Sequence, residues 1–292
     1  MKFLRIGAPG AERPAVLSAD GTPLDLSGIT ADIDGSFLSG DGPERVRAAL
    51  DGGALPPLEG AAGAGREGGP RIGPPVAPHG KLIGIGTNYS DYAKATGAEP
   101  PERPIVFIKP TDTVVGPYDP VLIPRGCSAT DHEVELAVVI GRHARYLASE
   151  EEGAAAVAGF TIANDVTERE HQFGHGGQWG KGKSFETFTP LGPWLVTPDE
   201  LEGGGSAPLG LRLRVNGSLV QEGSTGAMLF GVAYLVQHLS HFMALRPGDV
   251  IITGTPAGPA MTRPGKPYLR EGDVMELEID GLGAQRQRLA AA

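Results

Sequence analysis

Cysteine is almost missing from this chain of 292 residues, which contains only Cys127. A single cysteine cannot form an intrachain disulfide, so the sequence indicates a reducing compartment, and we expect a cytoplasmic location. No histidine and asparagine partner pattern accompanies this cysteine, as a thiol nucleophile would require. We therefore interpret Cys127 as a small loop residue.

Basic residues and long apolar runs are also scarce. The chain has 25 lysines and arginines against 35 aspartates and glutamates, a net charge of -10, and the basic residues are scattered. This balance argues against nucleic acid and against an anionic membrane surface as partners. The longest apolar stretch, residues 228–245, is interrupted by Gln237 and His238, and it is too polar and too short to span a bilayer. The N-terminal stretch MKFLRIGAPGAERPAV is broken by glycine, proline and charge before any signal-like run forms.

Glycine and proline, by contrast, are abundant and mark the organisation of the chain. Residues 1–51 resemble a small β-rich domain, with a hairpin turn at Asp20-Gly21. Residues 52–79 are dominated by glycine, proline and alanine, and we predict a linker there. Residues 80–292 contain many short strand candidates without a regular alternation of strands and helices, so the predicted fold class is α+β and β-rich.

The stretch DHEVELAVVIG, residues 131–141, predicts a strand with two carboxylates at its entrance. Both faces of this strand turn apolar after Glu135, so Glu133 and Glu135 are expected to lie at the edge of the core, with Asp131 nearby. The stretch MELEID is a useful contrast, because Glu276 and Glu278 lie there on a strand face that stays polar. Neighbouring buried carboxylates repel each other, so protonation, a basic side chain or a cation must neutralise the first pair.

A third acid follows the apolar run FTIA. Asp165 lies at the end of that predicted strand, and if it meets Glu133 and Glu135, three carboxylates converge on one point. Carboxylate oxygens suit a hard cation, Mg²⁺ or else Mn²⁺ or Ca²⁺. The spacing alone leaves two alternatives open, a metal site and a salt-bridged structural cluster.

Two further segments contain groups that would recognise an anion. The loop GHGGQWGKGKSFETF carries Lys181 and Lys183, whose ammonium groups can approach a bound anion. In VIITGTPAG, the residues Thr253, Gly254 and Thr255 could offer hydroxyl and backbone N–H donors to a carboxylate. Neither segment has the GxxxxGK[ST] pattern of a phosphate loop, so nucleotide binding is not supported.

The motifs GTNYSDYA, IKP, DHEVELAVVIG, NDV, KGKSFETFTPLGPW, GDVIITGTPAG and EGDVMELEIDGLG together resemble the fumarylacetoacetate hydrolase family. The resemblance runs from about residue 81 to 289 and is closest to short bacterial diketo-deoxy-sugar-acid and acylpyruvate hydrolases. It implies a catalytic domain that is a mixed β-sandwich or roll, a small N-terminal domain and a homodimer. It also implies Mg²⁺-dependent cleavage of a C–C bond in a small 2-oxo or 1,3-dicarbonyl acid.

The same resemblance implies roles for individual side chains. Its motifs place Glu133, Glu135 and Asp165 as metal ligands. The other implied residues form the substrate side of the site: Lys183 faces the substrate, Gln172 is the polar residue after NDV, and Thr255 with Gly254 belongs to the TGTP segment. A metal-chelated 2-oxo acid stabilises the enolate left by C–C cleavage, and a lysine charge placed near that oxyanion contributes ~3 kcal/mol.

One motif departs from the family pattern. Hydrolases of this family carry a histidine and, three residues later, a glutamate that activate the attacking water, whereas Tyr92 and Ala95 stand at these positions here. An unperturbed tyrosine, with a pKa of ~10, is a poor base near neutrality.

Three interpretations follow from this departure. Another base, with His132, His175 and Glu99 as candidates, could support hydrolysis. Alternatively, Tyr92 could donate a proton in a decarboxylation or a keto–enol tautomerisation, which need no activated water. The third interpretation is a non-catalytic member, against which the retained acids, Lys183 and Thr255 argue.

Overall fold

A computed structural model of the chain describes residues 1–65, 68–77 and 80–292. The strands are β1 (Lys2–Ile6), β2 (Arg13–Leu17), β3 (Pro23–Asp25), β4 (Leu82–Gly86), β5 (Ile105–Lys109), β6 (Val114–Val115), β7 (Val121–Ile123), β8 (Thr130–Asp131), β9 (Val134–Ile140), β10 (Val157–Asn164), β11 (Thr167–Glu168), β12 (Thr189–Val196), β13 (Gly210–Val215), β14 (Ser218–Ser224), β15 (Val250–Ile252), β16 (Val274–Ile279) and β17 (Gly283–Ala291). The helices are α1 (Gly35–Ser39), α2 (Gly42–Asp51), α3 (Ser90–Thr96), α4 (Glu150–Ala155), α5 (Arg169–Gly174), α6 (Gly180–Lys183) and α7 (Val232–Ser240).

Two open sheets and short helices make up the fold. The larger sheet has the strand order β3-β2-β1-β12-β10-β9-β15-β4-β5, with β6 added parallel to β12. The smaller sheet has the order β14-β13-β16-β17-β7, and β8 and β11 form a separate pair. Strands of both sheets pair mostly with antiparallel neighbours, and the helices are short, so the predicted β-rich α+β class is confirmed. No helix within the described residues is long and apolar enough to cross a membrane.

Strand β9 lies near the middle of the larger sheet, and every one of its residues is buried. Leu136 and Val138 belong to one apolar cluster, and Ala137 and Val139 belong to another that packs on the opposite face. Side chains alternate between the two faces of a strand, so a strand covered on both faces carries a nearly continuous apolar run. The predicted two-sided burial of this strand is therefore confirmed.

Strand β16 in the smaller sheet shows the contrasting pattern. Met275 and Leu277 are buried, whereas Glu276 and Glu278 are exposed, with arginine partners no closer than 3.7 Å. This face of the smaller sheet is in contact with solvent, as the alternation in the sequence predicts.

The N-terminal residues continue the larger sheet. The turn at Asp20-Gly21 joins β2 to β3, and Gly21 adopts a φ of 83°, a left-handed conformation that glycine tolerates. Strand β1 pairs with β12, and Phe3 lies opposite Leu195 in that ladder. The predicted boundary near residue 51 thus coincides with no break in the hydrogen-bonded sheet.

The segment predicted to be a linker is packed against this sheet. Leu58, Ile72 and Val76 are all buried, and Leu58 and Ile72 belong to an apolar cluster with residues of β1 and β2. The few apolar side chains in a glycine- and proline-rich segment are therefore sufficient to anchor it, contrary to our expectation of a segment without core residues. Residues 66, 67, 78 and 79 of the predicted linker lie outside the described residues.

Candidate active site

Two neighbouring strands bring the three predicted acids together. Strands β9 and β10 pair antiparallel, with Glu135 opposite Ala163, and the Asp165 amide donates to the Glu133 carbonyl oxygen at 2.9 Å. One carboxylate oxygen from each of Glu133, Glu135 and Asp165 lies within 4.8 Å of the other two. The sheet register therefore produces the convergence that the sequence predicts.

Buried lysines neutralise two of these carboxylates. Lys183 Nζ donates to Glu133 Oε2 at 2.9 Å and also donates to Asp165 Oδ2. Lys109 Nζ donates to Asp165 Oδ1 at 2.5 Å and to the Phe188 carbonyl oxygen at 2.8 Å. Charge-assisted hydrogen bonds of this kind offset much of the cost of burying ions, but only while both partners are present.

Arg169 connects this cluster to a fourth buried acid, Asp131. Its Nη2 donates to Glu133 Oε1 at 2.7 Å, its Nε to Asp131 Oδ2 at 2.9 Å, and its Nη1 to Gln172 Oε1 at 2.9 Å. Asp131 also accepts the backbone N–H of Ala260 at 2.7 Å. Asp131 therefore holds the guanidinium in place and is not one of the converging acids.

The cluster retains an excess of negative charge among the described residues. Three of its four buried carboxylates, those of Asp131, Glu133 and Asp165, contact the three buried cations, whereas Glu135 has no cationic partner within 4.0 Å among the described residues. Burial, together with the charges of Asp165 and Glu133, raises the pKa of Glu135 well above its ordinary value. Burial would also raise the pKa of Asp165, but the two lysine ammonium groups beside it outweigh that effect and lower it.

This donor set fits a hard divalent cation. Glu133, Glu135 and Asp165 offer oxygen ligands only, they lie at the ends of two paired strands, and Glu135 is without a cationic partner among the described residues. Mg²⁺, Mn²⁺ and Ca²⁺ prefer such carboxylate oxygens. The same carboxylates also form salt bridges with Lys109, Lys183 and Arg169. The two alternatives from the sequence, a metal site and a salt-bridged cluster, therefore describe features of one and the same cluster.

The TGT segment after β15 supports the acid-bearing strand. The Gly254 N–H donates to Glu135 Oε2 at 2.7 Å, and the Thr255 hydroxyl donates to the Val134 carbonyl oxygen at 2.9 Å. Gln221 Nε2 in turn donates to Thr255 Oγ1 at 2.8 Å. In the structure these donors contact groups of the protein itself. A contact of Thr255 or Gly254 with substrate stays a prediction.

All the residues that the sequence assigned to the site line one narrow cleft. They are Tyr92, Glu133, Glu135, Asp165, Gln172, Lys183, Gly254 and Thr255. Phe107 and Trp179 form an aromatic wall of this cleft, with ring centroids 6.2 Å apart. Gly86 allows the indole to approach, because a Cβ on this glycine would lie 2.2 Å from Trp179 Cζ3.

Tyr92 faces the cleft from helix α3 and is buried. Its hydroxyl lies 3.7 Å from Met261 Sδ, and burial raises the pKa of this phenol to about 12. The phenol therefore stays protonated near neutrality, where it can donate a proton but cannot act as a base. Ala95, at the other departing position, is exposed on the same helix.

The three candidate replacement bases lie outside the cleft lining. His132 is buried with its Nδ1 3.0 Å from Gln221 Oε1, and burial lowers its pKa. Glu99 and His175 are exposed on the segments that follow α3 and α5. A role for any of the three as the replacement base stays a prediction.

Comparison with known proteins assigns the family. Residues 81–290, nearly three quarters of the chain, match the sequence profile described as fumarylacetoacetate (FAA) hydrolase C-terminal. The chain belongs to the fumarylacetoacetate hydrolase family. A Burkholderia multivorans protein that carries the name "Putative hydrolase" is 47% identical over 100% of both chains.

Solved structures of this family cover the whole chain. The 5-carboxymethyl-2-hydroxymuconate delta-isomerase of Mycobacterium smegmatis has a TM-score of 0.76 and 29% identity, and the match covers 100% of this chain and 99% of that one. The maleylpyruvate hydrolase of Sphingobium sp. SYK-6, solved with manganese(II) and pyruvate, has a TM-score of 0.78 and 26% identity over 100% of both chains. The family thus includes both hydrolases and isomerases.

Sequence reasoning missed two cations of the site. One is Lys109, the last residue of β5, which is buried although Ile105 and Ile108 of the same strand are exposed. The other is Arg169, the first residue of α5. For Lys109 the available signal was a lysine at the end of an apolar strand within IKP. No local pattern shows which acid a basic residue meets, because that pairing depends on strands distant in the sequence.

Proposed function

We propose that this protein is a divalent-metal-dependent enzyme that hydrolyses a C–C bond in a small 2-oxo or 1,3-dicarbonyl acid. The observation that carries the proposal is the convergence of Glu133, Glu135 and Asp165 within 4.8 Å, beside buried Lys183. Membership of a family that includes a maleylpyruvate hydrolase solved with Mn²⁺ and pyruvate supports the reaction class. A homodimer and a cytoplasmic location, which the resemblance and the scarcity of cysteine imply, belong to the same proposal.

Glu133, Glu135 and Asp165 would hold the ion, with Mg²⁺ as the proposed metal. A hard divalent ion bound there would supply Lewis acidity toward a chelated 2-oxo acid. Lys183 contributes a fixed positive charge at the same point, with its Nζ 4.9 Å from the Phe107 ring centroid. Burial opposes the charge of Lys183, but Asp165 and Glu133 outweigh that effect and raise its pKa, so this ammonium group stays protonated. A charge that is already in place where an oxyanion develops lowers the barrier without further reorganisation.

Other side chains of the cleft would orient the substrate and exclude water. Gln172 is fixed through its Oε1 by Arg169, which leaves its amide nitrogen as the group to contact a bound acid. Trp179 and Phe107 cover one side of the cleft with apolar surface. Exclusion of water strengthens every charge interaction inside such a site.

A second candidate function is keto–enol tautomerisation or double-bond isomerisation of a β-keto acid. The observation that favours it is Tyr92, a buried phenol with a pKa near 12 at the position of the family's histidine. Such a group can return a proton to the carbon of an enolate, and isomerases occur among the structural relatives. Decarboxylation of a β-keto acid, which the sequence placed in the same alternative, would use the same groups.

Product analysis by NMR separates these reactions. The purified protein is incubated with Mg²⁺ and a panel of acylpyruvates and oxaloacetate, with and without EDTA. Two acids formed only without EDTA would support hydrolysis, whereas CO₂ release or faster exchange of the C3 protons with solvent would support the alternatives.

A matched pair of variants tests the metal site. Glu135→Gln should abolish turnover, whereas Glu276→Gln, on the exposed face of the similar stretch MELEI, should leave turnover unchanged. Full activity of Glu135→Gln, or equal loss in both variants, would contradict the proposed role of the acid cluster.

A further inference from the structure

A second group of metal-ligating side chains lies outside the cleft lining. One ligand atom from each of Cys127, Glu168 and His171 lies within 4.8 Å of the other two. Cys127 Sγ is 3.9 Å from His171 Nδ1, close to the separation of about 3.6 Å between a sulfur and a nitrogen ligand in a tetrahedral zinc site. No local sequence pattern indicates this arrangement, because 44 residues separate the thiol from the imidazole.

The backbone holds these three side chains in register. Glu168 ends β11, which pairs with β8, and its Oε1 accepts the Ala129 N–H at 3.1 Å. The Arg169 N–H donates to the Ala129 carbonyl oxygen at 3.0 Å, so the loop that carries Cys127 is attached to the start of α5. The ligands therefore do not depend on a flexible segment to meet.

Packing also fixes the imidazole. The His171 ring lies edge-on against Phe185, with centroids 5.1 Å apart, and its centroid is 4.2 Å from that of His175. Cys127 and His171 are partly exposed, and Cys127 lines an open surface pocket with Pro124 and Arg270, through which an ion can enter. A pre-positioned ligand set with an entry path is what a metal site requires.

The chemistry of this set differs from that of the acid cluster. A thiolate, an imidazole and a carboxylate form a borderline-soft site that suits Zn²⁺, whereas three carboxylates suit Mg²⁺. Each oxygen of Glu168 accepts one hydrogen bond, from Ala129 N–H or from the Thr130 hydroxyl, and each retains a lone pair for a metal.

The geometry points to a second metal site, formed by Cys127, Glu168 and His171, that binds a borderline divalent ion of the Zn²⁺ class. His171 shares helix α5 with Arg169 and Gln172, which contact or line the acid cluster. Metal binding therefore clamps the loop before β8 to this helix and positions both residues. Its ligands are separate from those of the acid cluster, so metal binding there can be tested apart from the reaction proposed above.

Cobalt(II) is the probe, because a thiolate ligand gives Co²⁺ an intense near-ultraviolet charge-transfer band that carboxylate ligands do not give. Cys127 is the sole cysteine of the chain, so any such band reports on this residue alone. The full chain is stripped with EDTA, exchanged into chelator-free buffer and titrated with Co²⁺. We expect the band to saturate when one Co²⁺ per chain is bound to Cys127, and in Glu135→Gln, which lacks an acid-cluster ligand, to do so at about one added equivalent.

Variants assign the ligands and separate the two sites. Glu135→Gln should retain the band, and Cys127→Ser should lose it. His171→Asn should weaken Co²⁺ binding at this site by more than about tenfold, since even the loss of an outer-shell partner costs a factor of about 10 to 100. Circular dichroism of each variant verifies that it folds, and Glu168→Gln provides a second test of the ligand set if His171→Asn does not fold.

Two results would overturn the assignment. One is a wild-type titration without the charge-transfer band. The other is a band with unchanged affinity in folded His171→Asn or Glu168→Gln, which would mean that the thiol binds metal without its neighbours. In Glu135→Gln, an intact band would support the second site, and loss of catalysis would separately support the proposed reaction.

Discussion

Lys109→Met is the substitution that best tests how the acid cluster is held together. The lysine is buried to 1% exposure, and its Nζ contacts Asp165 Oδ1 at 2.5 Å and the Phe188 carbonyl oxygen at 2.8 Å. Methionine has a similar length and keeps most of the apolar contacts of the lysine stem. The change therefore removes the ammonium group and little else.

The expected cost follows from what is left behind. Breaking a buried ion pair by removal of one partner costs about 3–5 kcal/mol, because the remaining charge is uncompensated. Asp165 keeps its contact with Lys183, and the Phe188 carbonyl loses a partner in a fully buried position. We therefore expect the free energy of unfolding to fall by about 3 kcal/mol or more, which moves the urea midpoint by roughly 1 M at an m value of about 3 kcal/mol/M.

The assay is urea unfolding in EDTA, with the exposed Lys181→Met as the matched control. Lys181 donates to the His175 carbonyl oxygen at the surface, so its replacement should change stability by less than about 0.5 kcal/mol. The double variant Lys109→Met/Asp165→Asn removes the charge at both ends of the ion pair. Its loss of stability should be smaller, by about 1 kcal/mol or more, than the summed losses of the two single variants. A loss below 1 kcal/mol in Lys109→Met, or strict additivity in the double variant, would refute the claim that this pair neutralises the cluster.

Three further predictions concern single positions. Tyr92→Phe should lower kcat by about 10²- to 10⁴-fold with little change in KM if the phenol is the proton donor, and unchanged kcat would exclude that role. Burial would raise the pKa of Asp131, but the charge of Arg169 outweighs burial and lowers this pKa. The ionised Asp131 therefore contributes its full stabilisation above the ordinary pKa of 3.8. This stabilisation is lost as the pH falls through the lower pKa of the folded state. Asp131→Asn should therefore be roughly 3 kcal/mol less stable than the wild type at pH 7 in urea unfolding. This difference in stability should narrow below about pH 4, and a difference independent of pH would contradict the ion pair. Gly254 has a φ of +95°, and a Cβ there would lie 2.9 Å from Asn88 Cβ. Gly254→Ala should therefore lower the free energy of unfolding by about 1–3 kcal/mol in the same assay. Wild-type stability of this variant would show that the segment adapts to the added methyl group.

The family motifs allowed much of the site to be predicted from the sequence. Glu133, Glu135 and Asp165 follow or precede apolar runs, and period-two alternation places such residues at strand ends. The same alternation separates the fully buried ELA segment of β9 from the ELE segment of β16, in which only the two glutamates are exposed. These are local properties, because the pattern of apolar residues around an acid shows whether its strand is covered on one face or on both.

Residues 52–79 show where composition is a poor guide. Glycine and proline indicated a linker, yet Leu58 and Ile72 are buried against the first two strands. Burial depends on where a few apolar side chains pack in the folded protein. A segment without regular secondary structure can therefore still contribute to a core.

The sequence by itself determined which segments form strands, that Glu133 and Glu135 stand together at the entrance of one of them, and that the family's histidine and glutamate are replaced by Tyr92 and Ala95. Only the tertiary structure decided how the acids are neutralised, by Lys109 and Lys183, and that Cys127 has an imidazole beside it. The reason is physical: strand formation depends on side-chain periodicity over a few residues, whereas the pairing of charges and ligands depends on distances between segments that are far apart in the chain.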